Sequence, residues 1–152
     1  MPQLTNNERS PYTDVVKITV DDLKAIGTGG TRRIATIPAG GAVELCAVIE
    51  TVAVVGSSSL VVDIGTTLAD PDEFIDNLDV DAMTTGLPTF NTGDAFVQTA
   101  GNTTIKGGSL PVGAASAATP VYIKVTDAAV ASITAGEIMI GFRILDLTKF
   151  AA

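Results

Sequence analysis

Short runs in which every second residue is apolar recur along the chain, and this pattern constrains the fold more than any other feature. Val121, Ile123 and Val125 share one face of such a run, and Ile138 to Ile144 form another with an apolar residue at every second position. A period of two is that of a β-strand with one buried face. Valine, isoleucine and threonine are frequent in these runs, and they fit a pleated sheet better than a helix. The pattern predicts an all-β fold of about eight strands.

The spacing of the strands predicts an antiparallel two-sheet β-sandwich, jelly-roll-like, with a closed barrel as the alternative. We expect residues 42–55 and 60–65 to form a β-hairpin around a serine-rich turn. Two shorter strands are expected at 95–99 and 103–105, around a Gly-Asn pair. The alternation in the first strand of the hairpin predicts one face made of Val43, Leu45, Ala47 and Ile49.

One short helix is predicted near 70–78. Asp70 can cap its N terminus, and Pro71 suits the first helical position. Residues 21–26 fit either a helical turn or the continuation of a strand. The segment near 70–78 also carries an apolar stripe of Phe74, Ile75 and Leu78.

A single domain is expected to account for most of the chain. Its 152 residues are the length of one domain, and a domain of this size buries roughly 68–70% of the surface of its unfolded chain. The polar residues 1–12 predict a flexible or extended N-terminal arm, followed by a single β-sandwich domain over 13–152. Cys46 is expected to be a buried free thiol, because a single cysteine cannot form an internal disulfide.

The charge of the chain argues against two classes of partner. The formal net charge is −8 and the pI is near 4.2, whereas nucleic acids and anionic membrane surfaces are bound by basic footprints. We therefore expect no nucleic acid and no membrane among its partners. The polar N terminus does not resemble a secretion signal, and no apolar run reaches the length of a membrane span.

Catalytic residues are poorly supplied. The chain has no histidine, so the commonest general base and metal ligand is missing, and Ser-His-Asp and Cys-His arrangements are impossible. Zinc sites need cysteine and histidine in numbers that this chain lacks. We expect no catalytic residue, no cofactor and no enzymatic activity.

The stretch Leu60 to Asp81 is the one local run that has the composition of a site, because it holds seven acids and no base. A calcium site would use the hard oxygen ligands of Asp70, Asp72 and Asp76, although the spacing does not match an EF-hand loop. A glycosidase pair of carboxylates is a further alternative. The preferred interpretation is a solvated acidic loop whose aspartates cap local structure, with no bound metal.

Three segments resemble small structural proteins of tailed bacteriophages, in particular head decoration (cement) proteins. The strings are TIPAGGAVEL at 36–45, LVVDIGTTLADPDEFIDNLDVDA at 60–82 and SITAGEIMIGFRILDL at 132–147. In that group a proline-glycine turn ends one strand, an acidic stretch follows another, and an alternating strand comes last. The resemblance covers most of residues 31–147.

The resemblance implies a non-enzymatic virion protein, made in the host cytoplasm and located on the outer capsid surface. Such proteins bridge capsomers and stabilise the shell, so the implied partners are the major capsid protein and further copies of the same chain, as a homotrimer. An extended arm can add a strand to a neighbour. Two alternatives stay open: another virion part (tail, neck or fibre base), or a carbohydrate- or calcium-binding β-sandwich module.

Candidate contacts with a partner lie in the arm, in a basic pair and at loop tips. The mean hydropathy of +0.40 is high for a surface protein and indicates apolar area left for an interface. The residues predicted to contact a partner are Arg9, Tyr12, Arg32, Arg33, Asp72 and Asp94.

Overall fold

The secondary structure is almost entirely β. The computed structural model describes residues 12–96 and 117–146, and within them the chain forms eight strands, one α-helix and two 3-10 turns. The α-helix is α1 (Val20–Ile26), and the 3-10 turns are Val80–Ala82 and Val130–Ser132. The strands are β1 (Asp14–Thr19), β2 (Gly30–Ile37), β3 (Gly41–Val55), β4 (Val61–Gly65), β5 (Ile75–Asp79), β6 (Pro88–Phe90), β7 (Thr119–Thr126) and β8 (Ala135–Asp146).

Two antiparallel four-stranded sheets form the molecule. The front sheet has the strand order β1-β8-β3-β6, and the back sheet has the order β2-β7-β4-β5. The pairs β1·β8, β2·β7, β3·β6 and β4·β5 are those of one long hairpin, bent between β4 and β5 and rolled up on itself. This is the jelly-roll order. The predicted all-β sandwich is confirmed, and the strands form two separate sheets instead of a closed barrel.

The core lies between the sheets and is filled by the residues that the alternation predicts. Val121, Ile123 and Val125 on β7 have no exposed surface, and neither have Ile138, Ile140 and Phe142 on β8. Each is a large apolar side chain whose burial stabilises the fold by roughly 1.5–3 kcal/mol. Leu60, Val62 and Ile64 complete the same layer from the back sheet.

The predicted faces of β3 are wrong because the strand contains a bulge. The register with β8 shifts between Val43 and Leu45, so one extra residue enters and the alternation reverses. Val43 faces the core before the shift, and Cys46 and Val48 face it afterwards. Leu45, Ala47 and Ile49 therefore point to the outer side of the front sheet.

The expected hairpin of β3 and β4 does not form, because the two strands belong to different sheets. Two carboxylates hold the connection that crosses between the sheets. Asp127 accepts hydrogen bonds from the Ser58 backbone N–H at 3.1 Å, and Asp81 accepts one from the Leu60 N–H at 2.9 Å. The serine residues therefore predict that the chain turns between β3 and β4, but not that it crosses to the other sheet.

The helix predicted near 70–78 is absent. Residues 70–74 form an irregular loop and β5 follows, with Ile75 opposite Ile64 and Leu78 opposite Val62. Pairing with β4 buries the apolar stripe more completely than one helical turn would, and tertiary burial overrides local propensity. The pairing also places Asn77 in the left-handed region, with φ of 49°.

The helix forms instead at 20–26, where the sequence left two possibilities open. Thr19 and Asp22 make a reciprocal capping box at its N terminus, and Leu23 is fully buried. Helix α1 connects β1 to β2, so it passes from the front sheet to the back sheet along one edge of the sandwich.

Three predicted segments lie partly or wholly outside the described residues. Of the arm expected at 1–12, the structure describes Tyr12. Of the strand expected at 95–99, it describes Ala95 and Phe96, which lie in a turn, and the strand expected at 103–105 falls outside.

Candidate functional site

Four aspartates line one recess of about 450 Å³ on the back sheet. Asp63 projects outward from β4, because its neighbours Val62 and Ile64 face the core. Asp76 lies on β5, and the loop before β5 supplies the other two carboxylates. Lys124 on β7 stands directly opposite Asp63 in the strand register. We call Asp63, Asp70, Asp72, Asp76 and Lys124 the acidic recess.

The acidic recess is electrostatically strained. Burial raises the pKa of Asp63, and Asp76 and Asp70 raise it further, while the Asn77 N–H that donates to its Oδ1 at 2.7 Å lowers it. Burial also raises the pKa of Asp72, with Glu73 and Asp70 as further causes. An ion pair from Lys124 Nζ to Asp70 Oδ1, at 3.1 Å, offsets part of this repulsion.

The calcium candidates share the recess without forming a coordination shell. Asp70, Asp72 and Asp76 all line it, so the sequence brings the right residues to one place. Among residues 12–96 and 117–146, however, no three acidic or cysteine side chains are arranged to hold a metal ion. The recess therefore offers a negative potential to cations, and not a preformed metal site.

Buried carboxylates elsewhere have structural roles that the sequence did not single out. Glu50 is 3% exposed and Asp127 is 2% exposed, and each accepts two or more hydrogen bonds. Glu50 accepts from the Val54 N–H at 2.9 Å and the Thr85 hydroxyl at 2.8 Å, and Asp127 also accepts from the Ala129 N–H at 2.8 Å. The sequence could have identified Glu50, because an acid within an otherwise apolar strand must have a hydrogen-bond or ion-pair partner when it is buried.

A second surface, on the front sheet, is apolar. Val15, Gly141, Ala47 and Phe90 lie in one row across the four strands. The side chains of Val15, Ala47 and Phe90 point outward, because adjacent residues on β8 and β3 fill the core. The middle of the row is covered, since Ala47 has no exposed surface and Gly141 is buried beneath the Tyr12 ring. Val15 and Phe90 are 47% and 50% exposed. The neighbouring row consists of Lys17, Met139, Ile49 and Pro88, and we call the two rows together the front face.

Paired charges border the front face. Lys17 Nζ lies 3.2 Å from Glu137 Oε2, and Arg143 Nε lies 3.2 Å from Glu44 Oε2. The hydroxyl of Thr51 and the ammonium of Lys17 both lower the pKa of Glu137. The rim thus carries both signs of charge in neutral pairs, in contrast to the acidic recess on the opposite sheet.

The predicted arm and basic contacts lie in two places. Arg9 falls outside the described residues. The ring of Tyr12 lies over Gly141 on the front face. Arg32 donates to Asp22 at 2.6 Å, and Arg33 bonds to the Thr36 hydroxyl, so both arginines of the edge strand β2 make contacts within the chain.

The predicted acidic contacts are neighbours in space. The Asp94 backbone N–H donates to the Asp72 carbonyl at 3.0 Å, and Gly93 and Ala95 donate to Phe74 and Glu73 at 2.8 Å each. The segment 91–96 is therefore hydrogen-bonded to the loop before β5. The five predicted contacts that the structure describes do not form one surface, and the front face, apart from Tyr12, was not among the predictions.

The remaining candidate, Cys46, is a core residue. Its thiol is fully buried, and burial raises its pKa far above the ordinary value, so it has neither the access nor the thiolate form that a nucleophile needs. The described residues also contain no helix with the length and hydropathy that a bilayer crossing requires.

Comparisons of the chain with protein-family models, with curated proteins and with solved structures find no significant match.

Proposed function

We propose that this chain is a non-enzymatic structural protein of a tailed-phage virion, which binds the outer capsid surface and stabilises the shell by bridging capsomers. Its partners under this proposal are the major capsid protein and further copies of itself. The resemblance of residues 36–45, 60–82 and 132–147 to head decoration proteins is what suggests this role.

The observation that best supports the proposal is the difference between the two outer faces of the sandwich. The front face is apolar with neutral ion pairs at its rim, whereas the back sheet carries the acidic recess. A decoration protein needs one surface that attaches and one that remains in solvent. An eight-stranded sandwich holds both in fixed positions.

Binding to assembled particles tests the proposal. Purified protein would be mixed either with capsids lacking it or with unassembled capsid protein of the phage that encodes it, and then sedimented. We expect saturable binding to the capsids, little binding to free subunits, and capsids that withstand higher temperature when decorated. Protein that stays in the supernatant with intact capsids would contradict a decoration role.

The position on the virion separates decoration from the other virion parts. Electron cryomicroscopy of the native particle would show whether density for an eight-stranded sandwich lies on the capsid lattice. Density at the tail, neck or fibre base would replace the proposal with that alternative.

The acidic recess favours a second candidate, a calcium- or carbohydrate-binding module. The raised pKa values of Asp63 and Asp72 mean that a bound cation would relieve repulsion. Calorimetric titration with Ca²⁺ and a glycan array test this class. Binding that is lost in Asp63→Asn and kept in Asp79→Asn, a matched change outside the recess, would support it.

A further inference from the structure

We propose that a groove between the edge strands of the two sheets binds an extended polypeptide segment that carries lysine or arginine and pairs with β5 as an additional strand. The inference does not depend on a role in a virion, and it concerns a part of the molecule other than the front face. It rests on the course of the groove along two strand edges, on a buried hydroxyl without a partner and on the charge of the lining.

The groove follows the backbone edges of two strands. Strand β5 ends the back sheet and β6 ends the front sheet, and a groove of about 460 Å³ lies between them. Its lining includes four consecutive residues of β5, 76–79, and three consecutive residues at β6, 87–89. Successive side chains of a strand point to opposite faces of the sheet, so a surface lined by consecutive residues runs along the edge of the strand. We call it the edge groove.

The outer edge of β5 is suited to accept a further strand. Val80 donates its N–H to the Leu60 carbonyl at 2.8 Å, and the residues that bond to the neighbouring strand alternate along an antiparallel pair. The N–H and C=O of Asp79, which lines the edge groove, are therefore directed away from β4. Within the described ranges no strand pairs with this edge. Strand β6 is the poorer partner, because Pro88 cannot donate an N–H.

A buried hydroxyl in the lining indicates an occupant with polar groups. The side-chain oxygen of Thr92 is buried and has no hydrogen-bond partner, and Thr92 lines the edge groove. Buried polar groups are nearly always hydrogen-bonded, so this hydroxyl calls for a donor or acceptor that enters the groove. The peptide groups of an extended segment supply both.

The charge and the exposed apolar surface of the lining specify the occupant further. Asp76 and Asp79 line the edge groove, and none of the described residues around it is a lysine or arginine. A second copy of this chain carries −8 and would bring like charges together, whereas a basic segment is complementary. Leu87, which is 61% exposed, also lines the groove. An added strand directs every second side chain to one face, where an aliphatic one can cover Leu87.

Fluorescence anisotropy with synthetic peptides tests the proposal on the full chain. The probe is a fluorescein-labelled heptapeptide of alternating valine and lysine. We expect saturable binding with a Kd on the order of 100 µM, because a few strand residues bury less surface than a standard interface does. The same peptide with every inner residue N-methylated keeps its charge but cannot donate hydrogen bonds, and it should bind about tenfold more weakly.

Two exposed leucines provide a matched pair of variants. Leu87→Lys places a cation in the edge groove and removes its exposed apolar side chain, so we expect it to weaken binding of the probe about tenfold. Leu68→Lys makes the same substitution, with the same change of net charge, at a side chain that is 56% exposed and does not line the groove. It should bind the probe about as well as wild type does. Both variants should keep the wild-type melting temperature, because neither side chain belongs to the core.

Hydrogen exchange measured by mass spectrometry shows where the probe binds. The amides of residues 75–80 should exchange more slowly when the probe is bound. Those of β2 should not change, because β2 is the edge strand at the opposite end of the back sheet.

Three results would overturn the proposal. One is equal binding of the N-methylated peptide, because that would show attraction by net charge without strand pairing. Another is equal binding by Leu87→Lys and Leu68→Lys. The third is a dimeric wild type in light scattering whose β5 amides are protected before the probe is added, because a second copy would then occupy the edge groove.

Discussion

At the scale of single residues, the acids divide into those that hold the fold and those that strain it. Glu50, Asp81 and Asp127 accept hydrogen bonds from backbone or hydroxyl groups of the loops. Asp63 and Asp72 crowd the acidic recess. Asp63 also accepts a hydrogen bond from the Asn77 N–H, but burial and neighbouring carboxylates raise the pKa values of Asp63 and Asp72.

Asp22 should make stability depend on pH in the acid range. Hydrogen bonds from the Thr19 N–H and from Arg32 lower its pKa from 3.8 to about 2. Since the folded pKa is the lower one, the stabilisation is complete above 3.8 and is lost as the pH falls toward about 2. We expect Asp22→Asn to be less stable than wild type near neutral pH, with a difference that shrinks across this window. Asp21→Asn, in the same helical turn, is the control for net charge in chemical unfolding at each pH.

Asp72 should behave in the opposite sense. Its pKa is raised by burial and by Glu73 and Asp70, so the folded state binds the proton more tightly than the unfolded state does. The favourable contribution is present below 3.8, the ordinary value, and is lost as the pH rises through the folded pKa. Asp72→Asn should therefore raise the melting temperature near neutral pH and have no such effect in acid. An equal gain in Asp79→Asn, which changes net charge alone, would argue against this explanation.

Cys46 should report opening of the whole core. The thiol is buried with no exposed surface, so we expect negligible reaction with a disulfide reagent under native conditions and full reaction in denaturant. The labelling rate under native conditions then measures the free energy of opening. Fast labelling at a rate insensitive to low denaturant would indicate a local opening of β3 instead.

At the scale of elements, the sequence predicted strands better than it predicted their partners. The alternation of β7 and β8 was sufficient, because both have one core face along their described length. It failed on β3, where the bulge at Val43–Leu45 reverses the faces and no local signal marks it. It also failed on β5, whose acids are typical of a helix start although pairing with β4 decides its structure. The eight strands of the described residues include β5 and β6, which the sequence did not predict.

The candidate site was predictable only in part, for the same reason. Asp70, Asp72 and Asp76 are close in sequence, and the structure brings them to one recess. Asp63 and Lys124 join them through strand pairing across 61 residues, which one sequence does not reveal. The front face could not be predicted from the sequence. Strands β3 and β8 carry apolar residues on both sides, and only the position of the second sheet shows which side is the core.

Gly93 and Gly141 should differ sharply in how well they tolerate substitution by alanine. A Cβ on Gly93 would meet backbone atoms of Asp72 and Phe74, whereas the nearest atoms to one on Gly141 belong to the Tyr12 ring, a side chain that can rotate away. We expect Gly93→Ala to cost about 3 kcal/mol and Gly141→Ala under about 1 kcal/mol. Urea unfolding of the two variants is the measurement. Similar losses would mean that Tyr12 is held on the front face more firmly than a single ring contact explains.

At the scale of the whole molecule, one apolar face on an acidic protein predicts how salt affects association. Screening reduces the repulsion between two chains of −8 and leaves an apolar contact largely unaffected. We therefore expect the net repulsion between molecules to fall as sodium chloride is raised from low to moderate concentration, measured as the concentration dependence of the sedimentation coefficient. A repulsion that does not change with salt would indicate that net charge does not control encounters between molecules.

The position of β8 has a consequence for synthesis of the chain. It is the last strand that the structure describes, yet it lies between β1 and β3 in the front sheet. The ribosome therefore releases β1 more than a hundred residues before its partner exists, and the front sheet cannot close until translation has passed Asp146. Nascent chains carry unpaired strand edges during that interval. A stalled or prematurely terminated product ending before β8 should aggregate, so chaperone demand should be greatest late in translation.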